Sequence, residues 1–203
     1  MTAAEAVRPS SRVPPESPDD APEPFTQEQF ASLAANYPDL RLERTKEGRL
    51  LIMPPAGGES SRLNFKIDVK LGIWSEQDDT GECFDSSAGF TLPNGADRSP
   101  DVAWVERSRW DALTPEQKKK FLPLCPDFLV EMLSPTDSLS ETREKMQEYL
   151  DNGARLGWLI NPRRKQVEVY RPGQEVEVLD NPTILSGEAV LPGFTLNLME
   201  IFS

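Results

Sequence analysis

The chain contains no histidine among its 203 residues. That absence removes the Ser-His-Asp triad, the Cys-His pair, the His-ligated metal nuclease centre and the histidine phosphocarrier together. Cysteine is scarce as well. Cys83 and Cys125 lie far apart without paired spacing, which points to reduced, buried thiols rather than a disulfide framework or a cysteine zinc site. No apolar run approaches the length of a membrane-spanning helix, and the N-terminus lacks the basic start and apolar core of a signal peptide, so the expected location is the cytoplasm. Bases are too few to balance the acids, 22 against 34. The net charge of -12 repels nucleic acid at long range, so a nucleic-acid role needs a local basic groove or metal ions. Carboxylate, lysine and metal chemistry remain.

The length suits one core of ordinary size. Residues 1–24 hold Pro9, Pro14, Pro15, Pro18, Pro22 and Pro24 among Ala, Ser and acids, and are expected to form a disordered tail ahead of a single domain over residues 25–203. A helix from about Phe25 to Asn36 is signalled by Thr26 with Gln29 three residues on. LRLERTKEGRLLIMP alternates about Lys46-Glu47-Gly48 as a β-hairpin does, and Leu63, Ile67, Val69, Leu71 and Trp74 mark a long helix from Glu59 to about Gln77. Asn94-Gly95 predicts a second hairpin from Phe84 to Val105, followed by an irregular or short-helical connection over residues 107–124. The run Lys118-Lys119-Lys120 within it reads as a solvated helix face or a phosphate contact. A strand over residues 126–133 leads into a helix opened by Ser138-x-x-Glu141 and stopped at Asn152-Gly153. GWLINP, QVEVYRP, VEVLD and FTLNLMEIF then read as successive strands.

Two of these apolar runs each carry an acid where a buried strand normally has none. SPDVAWV holds Asp101, and CPDFLVEML holds Glu131. Strand periodicity puts Asp101 on one face with Ala103 and Val105, and Glu131 on one face with Leu129 and Leu133. A carboxylate on such a face must be neutralised, paired with a base, or bound to a metal. If the two strands are neighbours, their oxygens suit a hard divalent cation such as Mg²⁺, with Mn²⁺ as a substitute. Lys145 is the candidate cation, on the edge of a helical stripe defined by Leu139, Met146 and Leu150, beside Tyr149. Plainer readings stand beside these. Asp101 could be a strand-entrance aspartate, Glu131 the partner of Arg155 or Arg143, Lys145 a solvated helix lysine, and Glu59 a favourable charge at a helix N-terminus.

The runs MPPAGGES, GFTLPNGADRSPDVAWV, PDFLVEMLSPTDS, EKMQEYLDNGARLGWLINP and VEVYR, in that order, resemble the bacterial Uma-type restriction endonuclease family of the PD-(D/E)XK nuclease superfamily. The resemblance extends from about Leu40 to the C-terminus. It implies an α/β fold with a restriction-endonuclease-like core, a mixed central β-sheet flanked by helices, here with extra β-hairpins. It also implies a phosphodiesterase acting on DNA, with Asp101 and Glu131 as metal ligands and Glu59 joining the metal shell. One departure is plain: the superfamily's lysine, two positions after the second acid, is Leu133 here. In some branches that lysine sits on the following helix, and Lys145 fits the relocation.

The expected function is a Mg²⁺-dependent DNA endonuclease with Asp101, Glu131 and Lys145 as its catalytic set, and a homodimer would supply two sites for two strands. One alternative is a catalytically inactive nuclease-fold binding or regulatory protein, favoured by Leu133 and the negative charge. Another is an accessory subunit whose Pro-rich tail recruits a protein partner.

Overall fold

The structure, a computed structural model, describes residues 23–202, so residues 1–22 of the expected tail lie outside the described residues. Helix α1 (Gln27–Asn36) opens with the expected capping box. The Thr26 hydroxyl accepts from the Gln29 N–H, and the Gln29 side chain accepts from the Thr26 N–H. The charged hairpin forms from β1 (Arg41–Arg44) and β2 (Leu50–Met53), and α2 (Gly58–Asp78) follows it.

The stretch from Phe84 to Val105 is not one hairpin. β3 (Gly81–Asp85) pairs antiparallel with β6 (Val102–Glu106). Between them the Asn94-Gly95 turn joins β4 (Phe90–Thr91) to β5 (Asp97–Arg98), two short strands that belong to a different sheet. A turn signal is local and sets only the nearest pairing. The longer-range choice follows buried Asp97, which accepts from Arg44 at 2.8 Å and brings β5 alongside β1. The resulting small sheet has the order β2-β1-β5-β4. The connection over residues 107–124 holds α3 (Arg107–Asp111) and a 3₁₀ turn at Gln117–Lys119.

β7 (Phe128–Met132), α4 (Leu139–Asp151) and β8 (Leu156–Asn161) make a β-α-β unit whose strands run parallel. With β9 (Gln166–Tyr170) and β10 (Glu177–Asp180) they complete a six-stranded mixed sheet of order β10-β9-β8-β7-β6-β3. β11 (Ile184–Ser186) and β12 (Thr195–Asn197) form a separate ribbon. The final apolar run is therefore split: Asn197 ends the strand and its side chain accepts from the Met199 N–H, capping a 3₁₀ turn at Leu198–Glu200.

The six-stranded sheet is covered on both faces. One face packs Leu63, Ile67 and Leu71 of α2 against Val102, Trp104, Val130, Trp158 and Ile160, with Phe194 stacked on Trp158. The other packs Met146 and Tyr149 of α4 against Ala103, Val105, Leu129 and Leu159. Gly157 on β8 lets α4 approach closely, because a Cβ there would lie 2.7 Å from the terminal methyl of Met146.

Candidate active site

β6 and β7 are adjacent and antiparallel, so Asp101, just ahead of β6, and Glu131, near the end of β7, come to the same end of the sheet. The Asp101 N–H donates to the Val130 carbonyl at 3.1 Å, and one Asp101 carboxylate oxygen, Oδ2, accepts from the Met132 N–H at 2.9 Å. Its other oxygen, Oδ1, faces Arg41 at 3.2 Å. Both acids are buried and lie on the face covered by α4.

Lys145 reaches them from α4. Its Nζ lies 2.7 Å from Glu131 Oε1 and 2.8 Å from Glu43 Oε1. The buried stripe of α4 is centred on Met146 and Tyr149, while the expected Leu139 and Leu150 are only partly buried. Tyr149 can be buried because its hydroxyl donates to Glu131 Oε1 at 3.0 Å. That shift turns Lys145 inward, leaving its side chain only 14% exposed. Arg155 and Arg143, the other candidate partners for Glu131, are engaged elsewhere, with Glu106 and Glu168.

Glu43 is the site residue that sequence reasoning missed. It sits in β1 of the small sheet, accepts from the Ser99 N–H at 3.1 Å, and faces Arg98 at 3.3 Å as well as Lys145. Arg98 is tied in turn to Glu148 of α4 at 2.6 Å. The alternating charges of the hairpin look solvent-facing in the sequence. The small sheet instead lays that strand against the end of the large one, and nothing local signals it.

The electrostatics separate the two glutamates. Burial alone would raise Glu43, but Lys145 and Arg98 outweigh it and hold the carboxyl below its ordinary value. Burial raises Glu131, Lys145 pulls it back, and Asp101 and Glu43 push it up again, leaving it at about 7. Burial would lower Lys145, yet Glu131 and Glu43 reverse the sign and keep it protonated. Tyr149 is pushed well up by burial and by the same glutamates, so it remains a donor. The site is short of positive charge at Glu131, beside Asp101.

The structure thus brings Asp101, Glu131 and Lys145 together, with no contact from Glu59 to any of the three among the described residues. Glu59 is exposed in the first turn of α2 and forms no hydrogen bond or ion pair among the described residues. Among the described residues no group of three or more His, Cys, Asp or Glu side chains is placed to hold a metal ion. The acids that do meet at this end of the sheet offer oxygen donors alone, the kind that hard cations prefer.

The family model described as "Uma2: Putative restriction endonuclease" matches residues 27–199. The chain belongs to this family. Among solved structures, one described as "a putative nuclease belonging to DUF820 from Anabaena variabilis ATCC 29413" superimposes with a TM-score of 0.68 at 24% identity, covering 79% of this chain and 89% of that one. No curated protein matches. The mixed sheet flanked by α2 and α4 is the restriction-endonuclease-like core, and the small sheet and the β11–β12 ribbon are additions to it. Leu133 is half-buried on β7's exit, and Lys145 occupies the space beside Glu131.

Proposed function

We propose that this protein is a divalent-metal-dependent DNA endonuclease whose working groups are Asp101, Glu131 and Lys145. The observation that carries the reading is the 2.7 Å approach of Lys145 to Glu131, from a helix rather than from the strand, in a member of a restriction endonuclease family, with Leu133 at the position where the resemblance to the wider superfamily implies a lysine. Asp101 and Glu131 would hold Mg²⁺ or Mn²⁺ with water completing the shell. Such an ion polarises a phosphodiester and lowers the pKa of a bound water.

The residues of the chain then divide the remaining work. Lys145, kept protonated by two glutamates, is a fixed positive charge for the attacked phosphate. Tyr149 and Glu43 are positioning residues: the first orients Glu131, and the second holds Lys145 in place through a backbone-anchored carboxylate. Arg41 sits at the rim beside Asp101. At the same sheet end, the turn from β8 to β9 carries Arg163, Arg164 and Lys165. The two arginines line a cavity of about 180 Å³ with Leu133, Ser134 and Asp137. Neither arginine forms an ion pair among the described residues, which leaves both available to backbone phosphates in an otherwise acidic protein.

Plasmid nicking with Mg²⁺ or Mn²⁺ tests the reading. Asp101→Asn and Lys145→Ala are each expected to lose about a hundred-fold or more, whereas the exposed control Lys119→Ala keeps full activity. Titration calorimetry supplies the second arm. Absence of metal affinity, or affinity indifferent to Asp101→Asn, rejects the enzyme. One observation favours the alternative of an inactive binding module: Asp101 and Glu131 each already face a cationic side chain, Arg41 and Lys145.

A further inference from the structure

Helix α2 turns Leu63, Ile67 and Leu71 into the core, yet its opposite side is also apolar. Phe65, Val69 and Ile73 are 67%, 39% and 52% exposed. Their four-residue spacing sets them in one stripe along the helix. Arg62 stands at one end and Glu76 at the other, each seven residues from Val69, and neither forms an ion pair among the described residues. Lys66 and Lys70 are drawn off to the side by Glu200, which leaves the stripe clear of lysine.

We propose that this stripe is a self-association surface, on which two copies of the chain pack α2 against α2, antiparallel, about a two-fold axis passing between the two Val69 side chains. The sequence about Val69 is what selects a second copy over another partner. Reversing the helix about that residue sets Phe65 level with Ile73 of the second copy and Arg62 level with Glu76 of the second copy, so one operation pairs apolar with apolar and positive with negative on both sides. Gly72, where an added Cβ would meet nothing, leaves a hollow on the side that Phe65 of the second copy approaches. A parallel pairing in the same register would oppose Arg62 to Arg62 and Glu76 to Glu76. One helix pair is smaller than the roughly 1,200–2,000 Å² of a standard interface, so association is expected in the micromolar range.

The test is sedimentation velocity on the full chain from about 1 to 100 μM, a range that brackets such an affinity. Wild type is expected to pass from monomer to dimer. Arg62→Glu and Glu76→Arg each create two like-charge pairs and should weaken the dimer about ten-fold or more, while the double exchange restores it to within about three-fold of wild type. Val69→Cys should give a covalent dimer on mild oxidation that wild type does not form. A chain monomeric throughout overturns the proposal, as does a dimer indifferent to the single reversals or a double exchange as weak as either single. The readout is mass, so the result stands whatever the outcome for nuclease activity.

Discussion

Strand β7 serves two different interiors. Val130 and Met132 point toward α2, where they meet Trp104, Trp158 and Ile160. Leu129 and Glu131 point toward α4, where Leu129 packs on Met146 and Tyr149 but Glu131 meets an ammonium, a phenol and a neighbouring acid. The first environment is what a sheet needs in order to fold. The second contains buried charges that an all-apolar packing would replace at little cost or with a gain in stability. On the proposed reading, the buried charges that Lys145 of α4 shares with Glu43 and Glu131 serve chemistry, and the two faces should answer mutation differently.

The largest effect on stability belongs to the α2 face. Trp158→Ala removes a fully buried ring stacked on Phe194 and edge-on to Phe128, and should cost about 3–5 kcal/mol in urea unfolding. A cost below about 1 kcal/mol would mean that this face does not carry the fold. On the α4 face the comparison sharpens. Lys145→Met leaves Glu43 and Glu131 buried without their shared cation and should cost about 3 kcal/mol at pH 8, most of it recovered by adding Glu43→Gln. Below about pH 7 the loss should shrink, because Glu131 takes up a proton. If the double variant is no more stable than the single, Lys145 acts through its hydrocarbon stem and not its charge.

A smaller effect is expected where the sheet end meets solvent. In EDTA, replacing Arg163 and Arg164 together by alanine should flatten the dependence of log affinity for a DNA duplex on log salt by about 1–2, roughly one counterion per lost phosphate contact. An unchanged slope would remove this turn from the DNA path.

How far the sequence could be read follows the same division. The capped ends of α1 and α4 and the charged hairpin obey local rules, and each formed where its pattern predicts, whereas the last apolar run is cut short where Asn197 caps a 3₁₀ turn. Asp101 and Glu131 stood out because a hydrocarbon strand makes a carboxylate conspicuous. Pattern alone is ambiguous even there: Pro126-Asp127 repeats the form of Pro100-Asp101 at the start of the next strand. Since β6 and β7 run antiparallel, that second aspartate lies at the opposite end of the sheet. It accepts from the Glu106 N–H at 2.9 Å and pairs with Arg109 at 2.9 Å, a structural role. Glu43 could not be found at all. It meets Lys145 across 102 residues of chain, in a strand whose charges look solvent-facing until the small sheet is placed.

The smallest effect lies on the border between the two interiors, at Asp68 of α2. Half-buried, and facing the charges of Asp85 and Asp101, its carboxyl is raised to about 7, burial being the larger cause. A carboxyl whose folded pKa exceeds its unfolded value binds more protons when folded. Its stabilising contribution is complete below about pH 4 and is lost as the pH rises through 7. Asp68→Asn in EDTA should therefore raise unfolding stability at pH 8 by about 1 kcal/mol, a figure kept small because water screens a half-exposed group, and should leave it nearly unchanged at pH 4. A gain of equal size at both pH values would assign the effect to packing of the amide. No gain at pH 8 would mean that neither burial nor the charges of Asp85 and Asp101 opposes ionisation of Asp68.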